Sequence, residues 1–323
     1  RSVGRGRMGR LCGQALIALS TLFPAPAQDV TFRTDVRLVR LLVNVKDAGD
    51  QLVSGLEKTD FAVYDNDVRQ EIALFEHHTE QPLSISVLVD VSASTGRELA
   101  YEVDSVGRFF RAVFREGNPR DTVALYSFTH DVTLLSSFNR NIGRLEAELK
   151  KLRPEAGTSL YDAIWFAARH LEDRDGRRVI ILVTDGGDTT SSVRFGEALE
   201  WAQRTSAVIY SILVVPVPND PGRNVGGENA LATFSKSTGG RVFTPTVGVQ
   251  LDESFRQILK DLRTQYMLGY YPRKIPPARE RFHRVRVEMP SRPGLRAITR
   301  TGYYGESEAS APANQPRGSA PRN

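Results

Sequence analysis

The stretch SISVLVDVSAS, residues 84–94, passes from a run of apolar side chains to one carboxylate and two hydroxyl groups. Its first half is almost continuously apolar, which predicts a β-strand covered on both faces. Asp90 ends the run, and Ser92 and Ser94 follow with one residue between them. In open α/β sheets, ligands bind beyond the carboxyl ends of the strands. The stretch therefore predicts a buried strand that delivers oxygen ligands to the edge of a sheet.

Three more apolar runs occur downstream, and helical patterns separate them. The runs are residues 121–128, 177–185 and 207–215. Between them, apolar residues recur on one face at helical spacing, which predicts amphipathic helices. The members of two such faces are Val103, Val106, Phe110 and Val113, and Leu160, Ile164, Ala167 and Leu171. Strands that alternate with helices predict a doubly wound α/β domain, which we place at residues 81–248.

The segments on either side of this domain predict a second unit built of strands. Residues 28–80 predict a small β module with a turn at 47–50. Within it, FAVYDNDVRQEIALF, residues 61–75, predicts a hairpin that turns at residues 65–67. Residues 249–304 predict one helix followed by strands. We expect these strands to pair with the N-terminal ones, so that the α/β domain is inserted into one β module.

The N-terminal segment has the pattern of a signal peptide over residues 1–27. Four arginines precede the apolar run LCGQALIALSTLF, and residues 25–27 read Ala-Pro-Ala, a cleavage pattern. An uncleaved N-terminal anchor is the alternative. Cys12 is the only cysteine and lies in this segment, so the mature chain is expected to hold no disulfide and no thiol. At the other end, residues 305–323 carry little apolar content and are expected to be disordered.

The charge of the chain gives no reason to expect nucleic acid as a partner. The full sequence has 43 Lys and Arg against 38 Asp and Glu, a net charge of +5. Without residues 1–27, which hold four arginines and no acid, the balance becomes 39 against 38, or +1. No later segment is apolar for long enough to cross a bilayer. We therefore expect an extracytoplasmic protein, either secreted or held in the cell envelope.

Two further pieces of sequence supply oxygen ligands for the edge of the sheet. Asp185 ends a second apolar strand, and Thr158 precedes a helix. Carboxylate and hydroxyl oxygens suit Mg²⁺, which prefers about six oxygen ligands and keeps some of its waters. In this hypothesis the hydroxyls bind the ion directly, the two aspartates hold its waters, and an open position favours a carboxylate from another protein. The candidate ligands are Asp90, Ser92, Ser94, Thr158 and Asp185.

These motifs together resemble the metal-ion-dependent adhesion site of von Willebrand factor type A domains. D-x-S-x-S at a strand end, Gly-Thr before a helix and T-D-G on a later strand occur in the order and at the separations of that family. The resemblance implies a Rossmann-like fold over about half of the chain. The flanking segments resemble secreted bacterial proteins, common in acidobacteria, that are related to von Willebrand factor A. One departure is Ala156, because the family motif often reads Gly-Gly-Thr.

Each piece of the candidate site also has a purely structural interpretation. Ser92 and Ser94 suit helix N-caps, and Ser159 with Asp162 matches a capping box that Thr158 could share. The sequence Asp-Gly-Gly-Asp at residues 185–188 suits a turn. The occurrence of all three pieces in this order favours the cation site.

Two enzyme hypotheses compete with metal-dependent binding. A Ser-His-Asp hydrolase would use Ser92 or Ser94, His130 as base, and Asp131 or Asp185, but the G-x-S-x-G motif is not present. A magnesium-dependent phosphatase would activate water between two aspartates, but no glycine-rich phosphate loop accompanies them.

Several other polar residues are given structural interpretations. We interpret the two histidines at positions 77–78 as a polar linker. His170 closes a helix and is expected to interact favourably with the dipole at its C-terminus. Residues 226–227 (Gly-Gly) are expected to form a mobile loop. Half or more of the C-terminal tyrosines are expected to pack at the junction of the two modules. These are Tyr266, Tyr270, Tyr271, Tyr303 and Tyr304. The basic run Arg279, Arg281, Arg284 and Arg286 is expected to form a solvated face.

The sequence thus predicts an exported, non-enzymatic protein that binds Mg²⁺, or alternatively Mn²⁺ or Ca²⁺. The ion would hold an Asp or Glu side chain of a protein partner. The alternatives are an envelope scaffold in which the cation is structural, and a metal-dependent hydrolase.

Overall fold

The structure is a computed structural model, and it describes residues 38–77, 80–93, 99–214, 224–245, 249–275 and 281–305. The predicted signal peptide, the predicted disordered tail and Ser94 lie outside these residues. The strands are β1 Val39–Lys46, β2 Ala62–Asp65, β3 Val68–Gln70, β4 Ile72–Glu76, β5 Leu83–Asp90, β6 Thr122–Phe128, β7 Val132–Asn139, β8 Arg177–Thr184, β9 Val208–Leu213, β10 Val242–Phe243, β11 Tyr266–Tyr270, β12 Phe282–Glu288, β13 Arg296–Ile298 and β14 Gly302–Tyr304. The helices are α1 Leu99–Glu116, α2 Ile142–Leu149, α3 Leu160–Leu171, α4 Phe195–Arg204, α5 Val225–Thr238 and α6 Val249–Arg263.

Six strands form the central sheet, in the order β10-β9-β8-β5-β6-β7. All neighbours are parallel except β6 and β7. The four apolar runs of the sequence form the four inner strands, and every residue of β5 is buried. This confirms the predicted parallel sheet. The sequence analysis did not identify β7, an edge strand whose residues mostly remain partly or fully exposed.

Helices cover both faces of this sheet, because alternate residues of each strand point to opposite sides. On one face, Val87 and Val89 pack with α1, α2 and α6. On the other face, Leu88 and Leu182 pack with α3, α4 and α5. The fold is therefore doubly wound, which confirms the predicted α/β class.

The order of the strands places a switch point at β5. The chain leaves β5 for β6 on one side, and it returns after β7 and α3 to β8 on the other side. Asp90 faces Phe128 of β6 across the ladder, and Val89 faces Val183 of β8. The carboxyl ends of these three strands lie at one edge of the sheet, which is where open α/β sheets bind ligands.

The flanking strands form two antiparallel four-stranded sheets, in the orders β13-β1-β11-β4 and β14-β12-β2-β3. Each sheet combines strands from both ends of the chain, which confirms the predicted pairing. The turn between β2 and β3 has Asn66 and Asp67 in the left-handed region, with φ of 46° and 64°, as expected for this type of hairpin. The prediction that residues 71–75 continue the hairpin was wrong, because β4 pairs with β11 of the other sheet.

An ionic cluster and α6 join the β module to the α/β layers. The Arg241 guanidinium lies 2.9 Å from the Asp261 carboxylate of α6 and 3.2 Å from Asp50. Lys46, which is 2% exposed, lies 2.8 Å from Asp50. Burial raises the pKa of Asp261, and the charges of Arg241 and Lys46 oppose that rise. The buried Lys46 and the partly buried Arg241 therefore face the buried Asp261 and the exposed Asp50 across the junction.

Candidate metal site at the carboxyl edge of the sheet

Asp90 is the buried centre of the candidate site. Its side chain has no solvent exposure. One carboxylate oxygen, Oδ1, accepts a hydrogen bond from the Ser92 backbone N–H at 2.9 Å, and Oδ2 accepts one from the Thr184 hydroxyl at 2.6 Å. Because Thr184 directly precedes Asp185, this second bond holds the ends of β5 and β8 together. The two aspartates of the predicted set therefore lie at the same edge.

The electrostatics of this edge favour a cation. Burial raises the pKa of Asp90 to about 6, and the negative charge of Asp185 adds to that rise. Hydrogen bonds from Thr184 and Ser92 act in the opposite direction. A carboxylate that is removed from water and placed near a second carboxylate is costly to ionise unless positive charge is supplied.

The segment that carries Thr158 is attached directly to the end of β5. Ser92 forms an isolated parallel bridge with Glu155, and the Glu155 N–H donates to the Val91 carbonyl at 2.9 Å. Gly157 has a φ of 87°, and a Cβ at this position would lie 2.8 Å from the His130 Cβ. Only glycine fits such a position without a shift. The Gly-Thr pair therefore allows the loop to pass close to β6 and return to the edge of the sheet.

Both backbone groups of Thr158 are occupied by the loop after β8. Its N–H donates to the Thr189 hydroxyl at 3.0 Å, and its carbonyl accepts from the N–H groups of Thr189 and Thr190 at 2.8 and 3.2 Å. None of the hydrogen bonds among the described residues uses the Thr158 hydroxyl. The loop thus fixes the backbone of Thr158 and leaves its hydroxyl available as a ligand.

Asp185 is half-buried, and the glycine after it makes a close approach to α5. Gly186 has a φ of 92°, and a Cβ on Gly227 would lie 1.6 Å from the Gly186 carbonyl oxygen. The prediction that residues 226–227 form a mobile loop was wrong. They lie in the first turn of α5, where Asn224 caps the helix by accepting from the Gly227 N–H at 2.8 Å. The contact requires glycine there, because any side chain would push the helix away from the loop that carries Asp185.

The structure brings together the segments that carry Asp90, Ser92, Thr158 and Asp185. Within the described part of the chain, no group of three or more His, Cys, Asp and Glu residues is placed to hold a metal. The candidate set has only two such residues, so a cation here depends on hydroxyl ligands as well. Their oxygens are hard donors of the kind that Mg²⁺ and Ca²⁺ prefer, and the residues present therefore fit such an ion.

The alternative interpretation of Ser159 and Asp162 as a capping box does not hold in this structure. Ser159 is the N-cap residue of α3 but makes no side-chain cap hydrogen bond. Its hydroxyl donates to the His130 carbonyl at 2.7 Å instead. The Asp162 carboxylate accepts from the backbone of Ser192 and Val193 at 3.1 and 2.7 Å. Both side chains therefore tie α3 to neighbouring loops, and no capping box forms.

Among the described residues, His130 contacts its chain neighbours and no candidate nucleophile. Its side chain is 57% exposed, with Nε2 lying 3.2 Å from the Asp131 carboxylate. Its Nδ1 lies 3.4 Å from the Thr129 hydroxyl. Within the described residues no serine hydroxyl bonds to either nitrogen, so the nucleophile–base contact of a hydrolase is not formed there.

Other residues singled out in the sequence take structural roles. His170 lies in the last turn of α3, where its Nδ1 is hydrogen-bonded to the Tyr126 hydroxyl at 2.5 Å and burial lowers its pKa. His77 packs against Phe75 and Tyr266, with ring centroids 4.9 and 5.3 Å apart, and its neighbour His78 is outside the described residues. The described members of the basic run, which are Arg281, Arg284 and Arg286, are exposed, and Arg279 is outside the described residues. Of the C-terminal tyrosines, Tyr266 and Tyr270 are buried in the core of the β module, and Tyr271 is 43% exposed.

Comparison with known proteins relates the segment that carries the candidate site to one domain family. Residues 85–187 match the family model of the von Willebrand factor type A domain. The matched segment begins in β5 and ends after β8, and it contains every residue of the candidate site. The α/β part of the chain is therefore similar, over these residues, to the von Willebrand factor type A domain. A search of curated proteins gave no match.

Two bacterial proteins of low sequence identity are among the similar solved structures. BatB from Bacteroides thetaiotaomicron is 18% identical, with a TM-score of 0.45 over 56% of this chain and 98% of that chain. The vWF domain of the type V pili tip protein Mfa5 from Porphyromonas gingivalis is 15% identical, with a TM-score of 0.47 over 56% of this chain and 94% of that chain. None of the described helices is both long and apolar enough to span a membrane.

Proposed function

We propose that this protein binds a divalent cation at the carboxyl edge of the central sheet and uses it to hold an acidic side chain of a protein partner. The observation that carries the proposal is the pairing of Asp90, fully buried, with the nearby charge of Asp185. Two carboxylates at the switch point of an α/β sheet need a counter-charge, and among the described residues no serine hydroxyl bonds to His130.

The proposed ligands are Asp90, Ser92, Ser94, Thr158 and Asp185, with Mg²⁺ as the ion and Mn²⁺ or Ca²⁺ as alternatives. Hydroxyl groups would contact the ion, and the aspartates would hold its waters. The bound ion would supply a positive charge with an open position for an anion. Neutral hydroxyl ligands leave more of that charge uncompensated than carboxylate ligands do, so an incoming Asp or Glu is favoured.

The proposed place of action is outside the cytoplasm. The support is the arginine-rich start, the apolar run and the Ala-Pro-Ala pattern at residues 25–27. Mass spectrometry of the N-terminus of the native protein tests this part separately, and a mature chain that begins at Gln28 is the expected result.

The experiment has two stages, both on the full chain. In the first, Mn²⁺ binding is measured by electron paramagnetic resonance. Wild type is expected to bind one ion, Asp185→Ala to lose it, and Asp131→Ala to retain it. Asp131 is the matched control because it lies in the loop after β6, with its side chain 82% exposed, and belongs to no proposed ligand set. Equal binding by all three proteins would contradict the site.

The second stage tests the capture of a carboxylate. Peptide pairs that differ only in Asp against Asn are screened with Mg²⁺ and again with EDTA. We expect binding of some Asp peptides, at least tenfold weaker binding of their Asn partners, and loss of binding in EDTA. Peptide binding that persists in EDTA would contradict metal-dependent capture.

A scaffold with a structural cation is the second candidate function. The close contacts between the loop after β8 and Thr158 favour it, because an ion here would also stabilise these loops. In that case chelation would lower the melting temperature, and no peptide of the second stage would bind in either condition.

A further inference from the structure

Arginines and aromatic residues alternate along one strip of the surface. On α3 and α4, the Arg169 guanidinium lies 5.0 Å from the Trp165 ring and 4.7 Å from the Trp201 ring. One turn further along α4, the Arg204 guanidinium lies 5.1 Å from the Tyr304 ring of β14. Residues three apart on a helix are neighbours on its surface. These contacts therefore lead from the two helices directly onto the β module.

The strip continues across the outer face of the sheet β14-β12-β2-β3. The rings of Tyr304 in β14 and Phe282 in β12 are 5.1 Å apart. Arg284 and Arg286 lie on the same side of β12 as Phe282, because alternate residues of a strand share a face. Val285, on the opposite side, is buried in the core of the module. Arg284 and Arg286 therefore point to solvent, and both are exposed.

The far end of the strip lies on β2 and β3. The Arg286 guanidinium lies 4.4 Å from the Tyr64 ring, and Arg69 is the register partner of Tyr64 in the next strand. Neighbouring strands are about 4.8 Å apart and packed helices about 8–10 Å apart, so the strip extends over about 25–30 Å. We call it the arginine–aromatic strip and define it by its arginines, which are Arg69, Arg169, Arg204, Arg284 and Arg286.

Positive charge without a counter-charge recurs along this strip. Arg204 is paired with Glu200 at 2.6 Å, and Arg286 is paired with Asp67 at 3.5 Å and with Glu288. The other arginines are exposed and form no ion pair with any carboxylate of the described residues, namely Arg69, Arg169 and Arg284. A guanidinium offers several N–H donors in a planar fork that suits a carboxylate. The strip therefore presents free anion-binding groups at both ends and in between.

From this arrangement we propose that the arginine–aromatic strip binds a carboxylated polysaccharide chain, whose repeated acid groups meet the uncompensated arginines in turn. A single exposed ion pair is weak. Several pairs on one extended chain add up, because each contact after the first is intramolecular. The length of the strip thus favours a polymer over a small anion, and the site is separate from the proposed cation site.

The surroundings of the rings favour a polysaccharide over the other acidic polymers. Single-stranded nucleic acid stacks its bases on open aromatic faces, whereas Arg286 lies over the Tyr64 ring and Arg204 over the Tyr304 ring. A folded acidic protein gains most of its binding energy from side chains that fill pockets. The two grooves found in the β module lie elsewhere, lined by residues between 47 and 56 and between 291 and 296.

The test uses the full chain in EDTA, so that no divalent ion bridges carboxylates and the proposed cation site holds no metal. Both tryptophans of the chain lie on α3 and α4, at one end of the strip, and their fluorescence follows a titration with polygalacturonate. We expect saturable binding of this probe and none of dextran, a neutral polysaccharide. Raising the salt concentration from about 0.05 M to about 0.5 M should weaken binding at least tenfold, because exposed charges are then screened.

The test variant is the double substitution R69Q/R284Q, which removes two uncompensated arginines that lie far from both tryptophans in the strip. The matched control is R120Q/R144Q, which removes two exposed arginines of the α/β domain that also form no ion pair within the described chain. Both variants lose the same net charge. We expect R69Q/R284Q to bind polygalacturonate at least about fivefold more weakly than wild type, and R120Q/R144Q to bind it as wild type does.

Three outcomes would overturn the proposal. One is the absence of saturable polygalacturonate binding in EDTA. Another is an equal loss of affinity in R69Q/R284Q and R120Q/R144Q, because net charge and not the strip would then decide binding. The third is tighter binding of poly-glutamate or of oligothymidylate than of polygalacturonate. Since every measurement is made without a divalent ion, failure here leaves the proposed cation site untouched, and failure of that site leaves the strip untouched.

Discussion

Two buried carboxylates, one in each region of the molecule, differ in what surrounds them. Asp65 ends β2 in the β module, and Asp90 ends β5 in the α/β domain. Both side chains have no solvent exposure. Burial alone therefore does not distinguish a structural carboxylate from a binding site, and the neighbours must decide.

The neighbours of Asp65 are hydrogen-bond donors. The hydroxyls of Tyr270 and Tyr303 donate to its Oδ2 at 2.8 and 2.7 Å, and His283 Nδ1 lies 3.1 Å from its Oδ1. These three residues come from β11, β12 and β14, so one carboxylate connects both sheets of the module. Burial raises the pKa of both tyrosines, which keeps their hydroxyls protonated as donors.

The neighbours of Asp90 include a second carboxylate. Its donors include the Ser92 backbone N–H and the Thr184 hydroxyl, and the charge of Asp185 raises its pKa. The four predictions below test whether Asp65 serves the fold while Asp90 serves a ligand.

The largest effect is expected for Asp65→Ala. It leaves two buried hydroxyls and an imidazole without their acceptor, which should lower the free energy of unfolding by about 3–5 kcal/mol. Urea unfolding measures this. Asp67→Asn is the control in the same turn, because the Asp67 side chain is 90% exposed and Asn tolerates its positive φ. A loss below about 1 kcal/mol for Asp65→Ala would show that Asp65 does not hold the module together.

The next effect is the stabilisation by Mg²⁺. An ion that binds only the folded state adds about 2.7 kcal/mol at a concentration of 100 times Kd. We expect thermal unfolding to show this shift in wild type and to show none in Asp185→Ala. A variant of the β module, Tyr303→Phe, should keep the full shift. If Asp185→Ala also keeps it, the ion binds elsewhere and the contrast between the two carboxylates fails.

A smaller effect concerns the pH dependence of the metal-free protein. The pKa of Asp90 is raised to about 6, so the folded state holds this proton more tightly than the unfolded state, where the pKa is about 3.9. The resulting stability is present below about pH 4 and is lost as pH rises through about 6. A difference of about 2 between the folded and unfolded pKa values corresponds to a stability contribution of about 3 kcal/mol at most.

Asp90→Asn isolates this contribution because its side chain stays neutral. In EDTA, the variant should gain about 1–3 kcal/mol relative to wild type between pH 4 and pH 8. Urea unfolding at several pH values measures the difference. A difference that stays flat across this range would show that Asp90 ionises without strain and does not need a cation.

The sequence predicted the inner strands and the candidate edge well, because both depend on local patterns. Continuous apolar runs of strand length are typical of parallel strands, and the polar residue after each run marks the edge. Strand β7 was missed because it lies at an edge and its residues are mostly exposed. The first turn of α5 was missed because Gly226 and Gly227 have poor helix propensity, and the contact of Gly227 with Gly186 is visible only in three dimensions.

The role of Asp65 could not be predicted from sequence for a related reason. It lies in a hairpin turn, where aspartate is common for conformational reasons alone. Its partners, Tyr270, His283 and Tyr303, are about 200 or more positions away, with separations of 205, 218 and 238 residues. The hydrogen bond from Thr184 to Asp90 is likewise visible only in three dimensions. The D-x-S-x-S motif that begins at Asp90, however, was recognisable from the sequence alone.

The smallest effects are expected when each buried carboxylate loses one of its hydroxyl donors. Tyr303→Phe removes one donor to Asp65 and keeps the ring, which stacks on His283 with centroids 4.7 Å apart. It should lower the free energy of unfolding by about 1 kcal/mol and leave Mn²⁺ affinity unchanged.

Thr184→Val removes the corresponding donor to Asp90 at nearly constant shape. Because that hydrogen bond lowers the pKa of Asp90, its loss raises the pKa, and protons then compete better with the metal. Mn²⁺ titrations at pH 6 and pH 8 should therefore show a loss of affinity in Thr184→Val that is larger at pH 6. Equal behaviour of the two variants would mean that both carboxylates serve only the fold.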